Sequence, residues 1–173
     1  MTYSPNSDLI DQYRKMHDAG HFKGMSLLKH VREISALVSG TDSHTLLDYG
    51  CGRGVQYNDT RCHLYWGGIM PALYDPAVSE HNIRPVGKFD GVICTDVAEH
   101  IPEDEVDDFL KDLSEYAEKF VFITVCTRPA VKKLPDGRNS HLTIKPEDWW
   151  VSKIKCISGN YPRILYKVSW NNT

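Results

Sequence analysis

Apolar and polar positions follow two different periods along this chain, and the periods mark out its elements. In "SLLKHVREISALV", Leu27, Leu28, Val31, Ile34, Leu37 and Val38 recur at helical spacing, which predicts a helix over Ser26–Val38 with Ser26 as its N-cap. "PEDEVDDFLKDLSEYAEKF" predicts another over Pro102–Phe120. Proline opens it, acids crowd its first turns where the helix dipole favours them, and Val106, Phe109, Leu110, Leu113 and Ala117 form a buried stripe. Short apolar runs bounded by turn residues read instead as buried strands: "TLLDYG", "PALYDP", "FDGVICTDV" and "FVFITV". Residues 55–70 are a poor regular helix, broken at Gly67-Gly68. A polar loop follows "FVFITV", then a short helix over Pro146–Ile154. The chain closes on "IKCIS" and "RILYKVSW", two strands joined by the hairpin signal "GNYP".

Strands that alternate with helices specify an α/β fold. The sheet is expected to be mostly parallel, with helices on both faces and a C-terminal antiparallel hairpin. At 173 residues the chain is long enough for one domain that buries roughly 70% of its unfolded surface. Residues 1–40 are assigned to an N-terminal helical cap and 41–173 to the core. No apolar run approaches the ~20 residues of a membrane span, and the first residues lack a charged-then-apolar leader. Five scattered cysteines without a C-x-x-C argue against a disulfide framework or zinc knuckle, so a cytoplasmic location is expected.

The net charge of −3 is unevenly distributed. Residues 1–127 hold 11 Lys/Arg against 20 Asp/Glu, and residues 128–173 hold 9 against 3. A basic C-terminal part suits an anionic partner. Nucleic acid is not favoured, because the basic loop lacks interleaved aromatics.

The densest chemistry lies in "LLDYGCGRG", three alternating glycines directly after a buried strand. Glycine lets backbone approach a ligand closely and adopts positive φ freely. Asp48, Asp75 and Asp96 stand at or near the ends of three successive strands, which in an open α/β sheet is where ligands bind. The spacing is G-x-G-x-G rather than the dinucleotide G-x-G-x-x-G, and an acid beside the turn opposes a phosphate there. A cation near Asp48 and a diol at Asp75 fit better, which describes a positively charged amino-acid nucleoside.

"LLDYGCGRG", "LYDP" and "FDGVICTDVAEHIPEDEV" together resemble the class I S-adenosylmethionine-dependent methyltransferases over residues 26–126, and "GRNSHLTIKPEDWW" is similar to a compact, phage-type subgroup of them. The resemblance implies a Rossmann-like fold with S-adenosylmethionine as cofactor. Asp48, Gly50 and Gly52 would surround its methionine part, Asp75 would hold its ribose, and Asp96 and Val97 would lie beside the methionine or the sulfonium, with Tyr49, Cys51, Tyr57 and Pro76 completing the expected cofactor-binding set. Phe22, Gly24 and His141 would lie nearby. Only 13 residues separate Asp75 from Phe89, too few for the family's usual helix–strand–helix, so that sheet edge is expected to be truncated. Adenine would then rest on an aromatic, with Tyr57, Trp66 and Tyr74 as candidates.

Methyl transfer to a hydroxyl or amine gains from a base, and His100 and His141 are the candidate catalytic residues, with Tyr57 and Asn139 placed to orient an acceptor. The acceptor is expected to be a small molecule or polymer end bearing negative charge. Cleavage of S-adenosylmethionine, or non-catalytic binding on the same fold, are the alternatives. No metal is expected, because neither His17/His21 nor Cys62-His63 has a third ligand at suitable spacing.

Overall fold

The computed structural model describes residues 3–171. Its elements run α1 (Ser7–Asp18), α2 (Val31–Gly40), β1 (Leu46–Tyr49), α3 (Val55–Thr60), β2 (Ala72–Tyr74), β3 (Phe89–Thr95), α4 (Val106–Tyr116), β4 (Ala117–Val125), α5 (Glu147–Ser158) and β5 (Leu165–Trp170). All five strands are parallel, in the order β2-β1-β3-β4-β5. Chain order reverses between β1 and β3, so the ligand-binding crevice of this Rossmann-like α/β sheet is expected at their carboxyl ends.

Strand alternation divides the core between the two faces. Leu46, Ile93, Phe120 and Phe122 pack beneath Ile34 and Val38 of α2, together with Tyr57, Cys62 and Trp66. Leu47, Val92, Cys94, Val121 and Ile123 face the opposite way, against Phe109 and Leu113 of α4 and Trp150, Ile154 and Ile157 of α5. Gly91 makes room for one of these rings: a Cβ there would stand 2.2 Å from the Phe120 ring.

The C-terminal hairpin is replaced by a parallel crossover. "IKCIS" belongs to α5, and β5 pairs parallel with β4 from Phe120↔Leu165 to Val125↔Trp170. Trp150, Ile154 and Ile157 lie on one helical stripe that covers the sheet, and this burial outweighs the strand propensity of so short a run. The helix predicted to reach Phe120 ends at Tyr116, because Ala117 is already extended and pairs with Phe89. The first predicted helix divides into a 3₁₀ turn over Ser26–His30 and α2, and Ser26 makes no capping bond.

The short edge is real: β2 has three residues, and its connection to β3 contains no helix. Arg84 anchors that connection. Its guanidinium donates to both carboxylate oxygens of Asp112 on α4 at 2.7 and 2.6 Å and lies over the Tyr74 and Tyr116 rings. The Tyr116 hydroxyl donates to the Pro85 carbonyl at 3.1 Å. Side chains of α4 thus do the work of the missing elements. No helix among the described residues is long and apolar enough to cross a membrane.

Candidate functional site

A cavity of about 770 Å³ opens at the carboxyl ends of β1, β2 and β3, within the size range of small-molecule sites. Its floor is the turn after β1. Gly50 and Cys51 donate their amides to the Tyr74 carbonyl at 2.7 and 3.2 Å. Gly50 has φ +81°, and a Cβ there would fall 2.3 Å from Val97 Cγ2. Gly50 is therefore required because the turns after β1 and β3 touch at the switch point. Gly52, at φ +58°, is required by backbone conformation, since its Cβ would meet only His17 at an ordinary 3.5 Å.

Two acids frame the floor. Asp75 is buried, and its Oδ2 and Oδ1 accept the amides of Gly52 and Ala77, each at 2.9 Å. Each oxygen retains a lone pair for a ligand hydroxyl. Asp96 is one of few non-glycine residues at positive φ, +56°, a conformation that is held where the surroundings enforce it. Here Thr124 donates to its Oδ1 at 2.7 Å and Asn171 to its Oδ2 at 2.5 Å.

Tyr49, Cys51, Pro76 and Val97 also line the cavity, whereas Asp48 and Tyr57 lie buried behind it. The Tyr57 hydroxyl and the Gln56 amide both donate to Asp48 Oδ2, at 2.8 and 3.3 Å. Asp48 Oδ1 and Gln56 Oε1 are left buried without partners. Loss of water raises the Asp48 pKa to about 7, against the opposing bond from Tyr57. Trp66 and Tyr74 are core residues, so none of the three aromatics considered for adenine faces the cavity.

The roof is α1, part of the helical cap expected over residues 1–40. In α1, Leu9, Tyr13 and Met16 form a stripe packed on Ala77 and Leu134, and Asn6 caps the helix by accepting the Asp8 amide at 2.9 Å. The Tyr13 hydroxyl reaches the carbonyls of Ser140 and His100 at 2.8 and 3.1 Å, tying α1 to the loop after β4. Phe22 and Gly24 line the cavity with this roof. The His17 ring is tilted by 45° against Phe22 with centroids 4.8 Å apart, and its Nε2 lies 4.0 Å from Asp75 Oδ2.

His100 and His141 come together at one end, their rings edge to face with centroids 4.9 Å apart. His100 Nδ1 is 2.6 Å from the Ser140 carbonyl, and His141 Nδ1 is 2.6 Å from that of Arg128. Desolvation and then the neighbouring His141 lower His100 to about 4, and desolvation also lowers His141. Glu99 and Cys126, which sequence reasoning passed over, line the same end. Burial, then Asp96, raises Glu99 to about 8. Asn139 holds the loop itself, through Ala130 and the His141 amide.

Of the loop cations expected to face an acceptor, Lys132 lines the cavity, its Nζ 4.8 Å above the Phe22 ring. Lys145 pairs with Glu103 and Arg138 with Asp136 instead. Lys23, from the opposite rim, adds a second charge that lowers Lys132 further after desolvation. Trp150 is wholly buried, and Trp149 carries Lys145 and Lys153 over its ring.

No protein-family model, curated protein or solved structure matches this chain.

Proposed function

We propose that this protein is an S-adenosylmethionine-dependent methyltransferase acting on an anionic acceptor. The observation that carries the reading is Gln56 Oε1, a buried acceptor without a partner on a residue that lines the cavity just after the glycine turn, together with the Asp75 carboxylate in the same lining. A buried acceptor without a donor is costly, and an ammonium group supplies the missing hydrogen bond. Asp75 has lone pairs left for ribose hydroxyls. Cys51, Pro76 and Val97 offer apolar surface beside them. These residues fit the cofactor's cationic amino acid and its nucleoside.

When bound, S-adenosylmethionine supplies an activated methyl group whose leaving group is a neutral thioether. This chain's contribution is to bind, align and exclude water. Alignment within a closed cavity is worth roughly 7–11 kcal/mol in such displacements. Helix α1 and the loop at 128–141 close over the reacting end through the Tyr13 bonds. Lys23 and Lys132 draw an anionic acceptor to the rim. The groups able to handle its proton are Glu99, His100 and His141.

Calorimetric titration with S-adenosylmethionine and S-adenosylhomocysteine tests the reading. Saturable one-to-one binding of both is expected, weakened by roughly 1.5–3 kcal/mol in Asp75→Ala. Absence of binding by either compound overturns it. Turnover of S-adenosylmethionine without an acceptor would assign the site to cleavage instead.

A further inference from the structure

At the same end of the cavity stands a donor cluster of mixed chemistry. Among the described residues, a carboxylate oxygen of Glu99, Sγ of Cys126 and a ring nitrogen of His141 all lie within 4.8 Å of one another. The backbone builds this proximity. The Glu99 carbonyl accepts the amides of Leu142 and Thr143 at 2.7 and 3.0 Å, which lays His141 beside Glu99. The Cys126 amide donates to Glu99 Oε1 at 3.0 Å. The Arg128 carbonyl then gathers His141 Nδ1 at 2.6 Å and Cys126 Sγ at 3.7 Å.

Two consequences point to a ligand. A carbonyl only accepts, so His141 holds its proton on Nδ1 and keeps the Nε2 lone pair, the arrangement that orients histidines in metal sites. Glu99 is 0% exposed, and with Oε1 occupied its Oε2 has no partner. Among the described residues no donor reaches this oxygen, and Asp96 adds negative charge nearby. A cation satisfies both.

We propose that Glu99, Cys126 and His141 bind one zinc ion whose fourth position opens to the cavity. One carboxylate, one thiolate and one imidazole suit a borderline-soft, tetrahedral ion better than magnesium or calcium, which prefer oxygen. Three protein ligands with an open position is the pattern of catalytic rather than structural zinc. Donor atoms around tetrahedral zinc stand roughly 3.3–3.6 Å apart, so side-chain rotation closing about 1 Å completes the set. Binding releases protons to solvent from two ligands: the Cys126 S–H bond breaks with its electron pair going to zinc, and the Glu99 carboxyl gives up the proton that burial favours. The ion would polarise an acceptor oxygen and ease its deprotonation, and with Glu99 and His141 held as ligands the proton would pass to His100 or solvent. That role rests on the methyl-transfer reading; the site itself does not.

The test uses the full chain, stripped with a chelator and free of S-adenosylmethionine. Zinc is titrated against a chromophoric chelator, and cobalt serves as a spectroscopic substitute. One ion per chain is expected, with a thiolate-to-cobalt charge-transfer band that Cys126→Ser abolishes. Glu99→Gln and Cys126→Ser should each weaken zinc by about tenfold or more with unchanged circular dichroism. Cys156→Ser, at an exposed cysteine, should change nothing. Failure to bind zinc overturns the proposal, as does a band that persists in Cys126→Ser. Because the cofactor titration is separate, zinc binding without S-adenosylmethionine binding removes only the methyl-transfer reading. The converse removes only the metal.

Discussion

Arg84 and Asp112 form a two-pronged ion pair across the shortened edge, with Asp112 only 2% exposed. Asp112 also accepts from the Tyr49 hydroxyl at 2.9 Å and the Tyr3 amide at 3.3 Å. One carboxylate on α4 thus holds the N-terminal segment, the end of β1 and the helix-free connection. Breaking a buried pair from one side leaves a charge without compensation.

Arg84→Met should therefore destabilise the protein by about 3–5 kcal/mol in urea unfolding. Arg84→Met combined with Asp112→Leu should cost less than the single change, because the stranded charge is gone. Equal or additive losses would show that the pair contributes little beyond packing.

Asp48 makes stability depend on pH. Its folded pKa of about 7 lies above the unfolded value of about 4, so between these values the native state holds a proton that the unfolded chain has released. The contribution of Asp48 is present in full below about pH 4 and is lost as pH rises towards 7. The difference in unfolding free energy between the native protein and Asp48→Asn should slope across that window. Tyr57→Phe removes a bond that favours the carboxylate, and should extend the loss to higher pH. Parallel pH profiles for all three proteins would count against the raised pKa.

Much of this architecture is legible in the sequence where burial follows a clean period. The β1, β3 and β4 runs and the α4 stripe are such cases, and so is the truncated edge, which is a matter of chain length. Helix α1 falls inside the helical cap assigned to residues 1–40, but its bounds are not legible although Leu9, Tyr13 and Met16 carry helical spacing, because polar residues surround them. "IKCIS" reads as a strand because it is a short apolar run, yet its two isoleucines three apart also suit the helix face that the structure gives them. The site divides similarly. Glycines and strand-end acids announce themselves locally, whereas Glu99 and Cys126 meet His141 only through backbone bonds formed after folding. Asp48 and Tyr57 were seen as chemistry, but no linear pattern shows that they lie one layer behind the cavity.

The contact between Gly50 and Val97 yields a coupling experiment. Gly50→Ala combines a left-handed conformation, about 1–2 kcal/mol, with a 2.3 Å clash. Val97→Ala removes the clashing methyls, and a Gly50→Ala/Val97→Ala double variant should recover part of the loss. A double-mutant cycle by chemical unfolding should give a coupling of about 0.5–3 kcal/mol. Strict additivity would mean that the two turns do not bear on each other.

Lys132 distinguishes binding of an anionic acceptor from binding of the cofactor. Its ammonium stands at the rim, over Phe22, whereas the cofactor reading rests on Gln56, Asp75 and the glycine turn. Reversing the charge replaces an attraction worth ~1 kcal/mol in water by a repulsion of similar size. Lys132→Glu should therefore raise the acceptor KM about tenfold or more at low ionic strength and leave kcat and cofactor affinity within about twofold. The effect should shrink as salt shortens the screening length from ~10 Å at 0.1 M to ~3 Å at 1 M. Lys133→Glu, one residue along and outside the cavity lining, makes the same change in net charge and should leave KM unaltered. An acceptor found by screening anionic metabolites and polymer ends with labelled cofactor supplies the assay. Equal responses of the two variants would mean that the acceptor senses only the overall field of the basic C-terminal region, and Lys132 would lose its place at the rim.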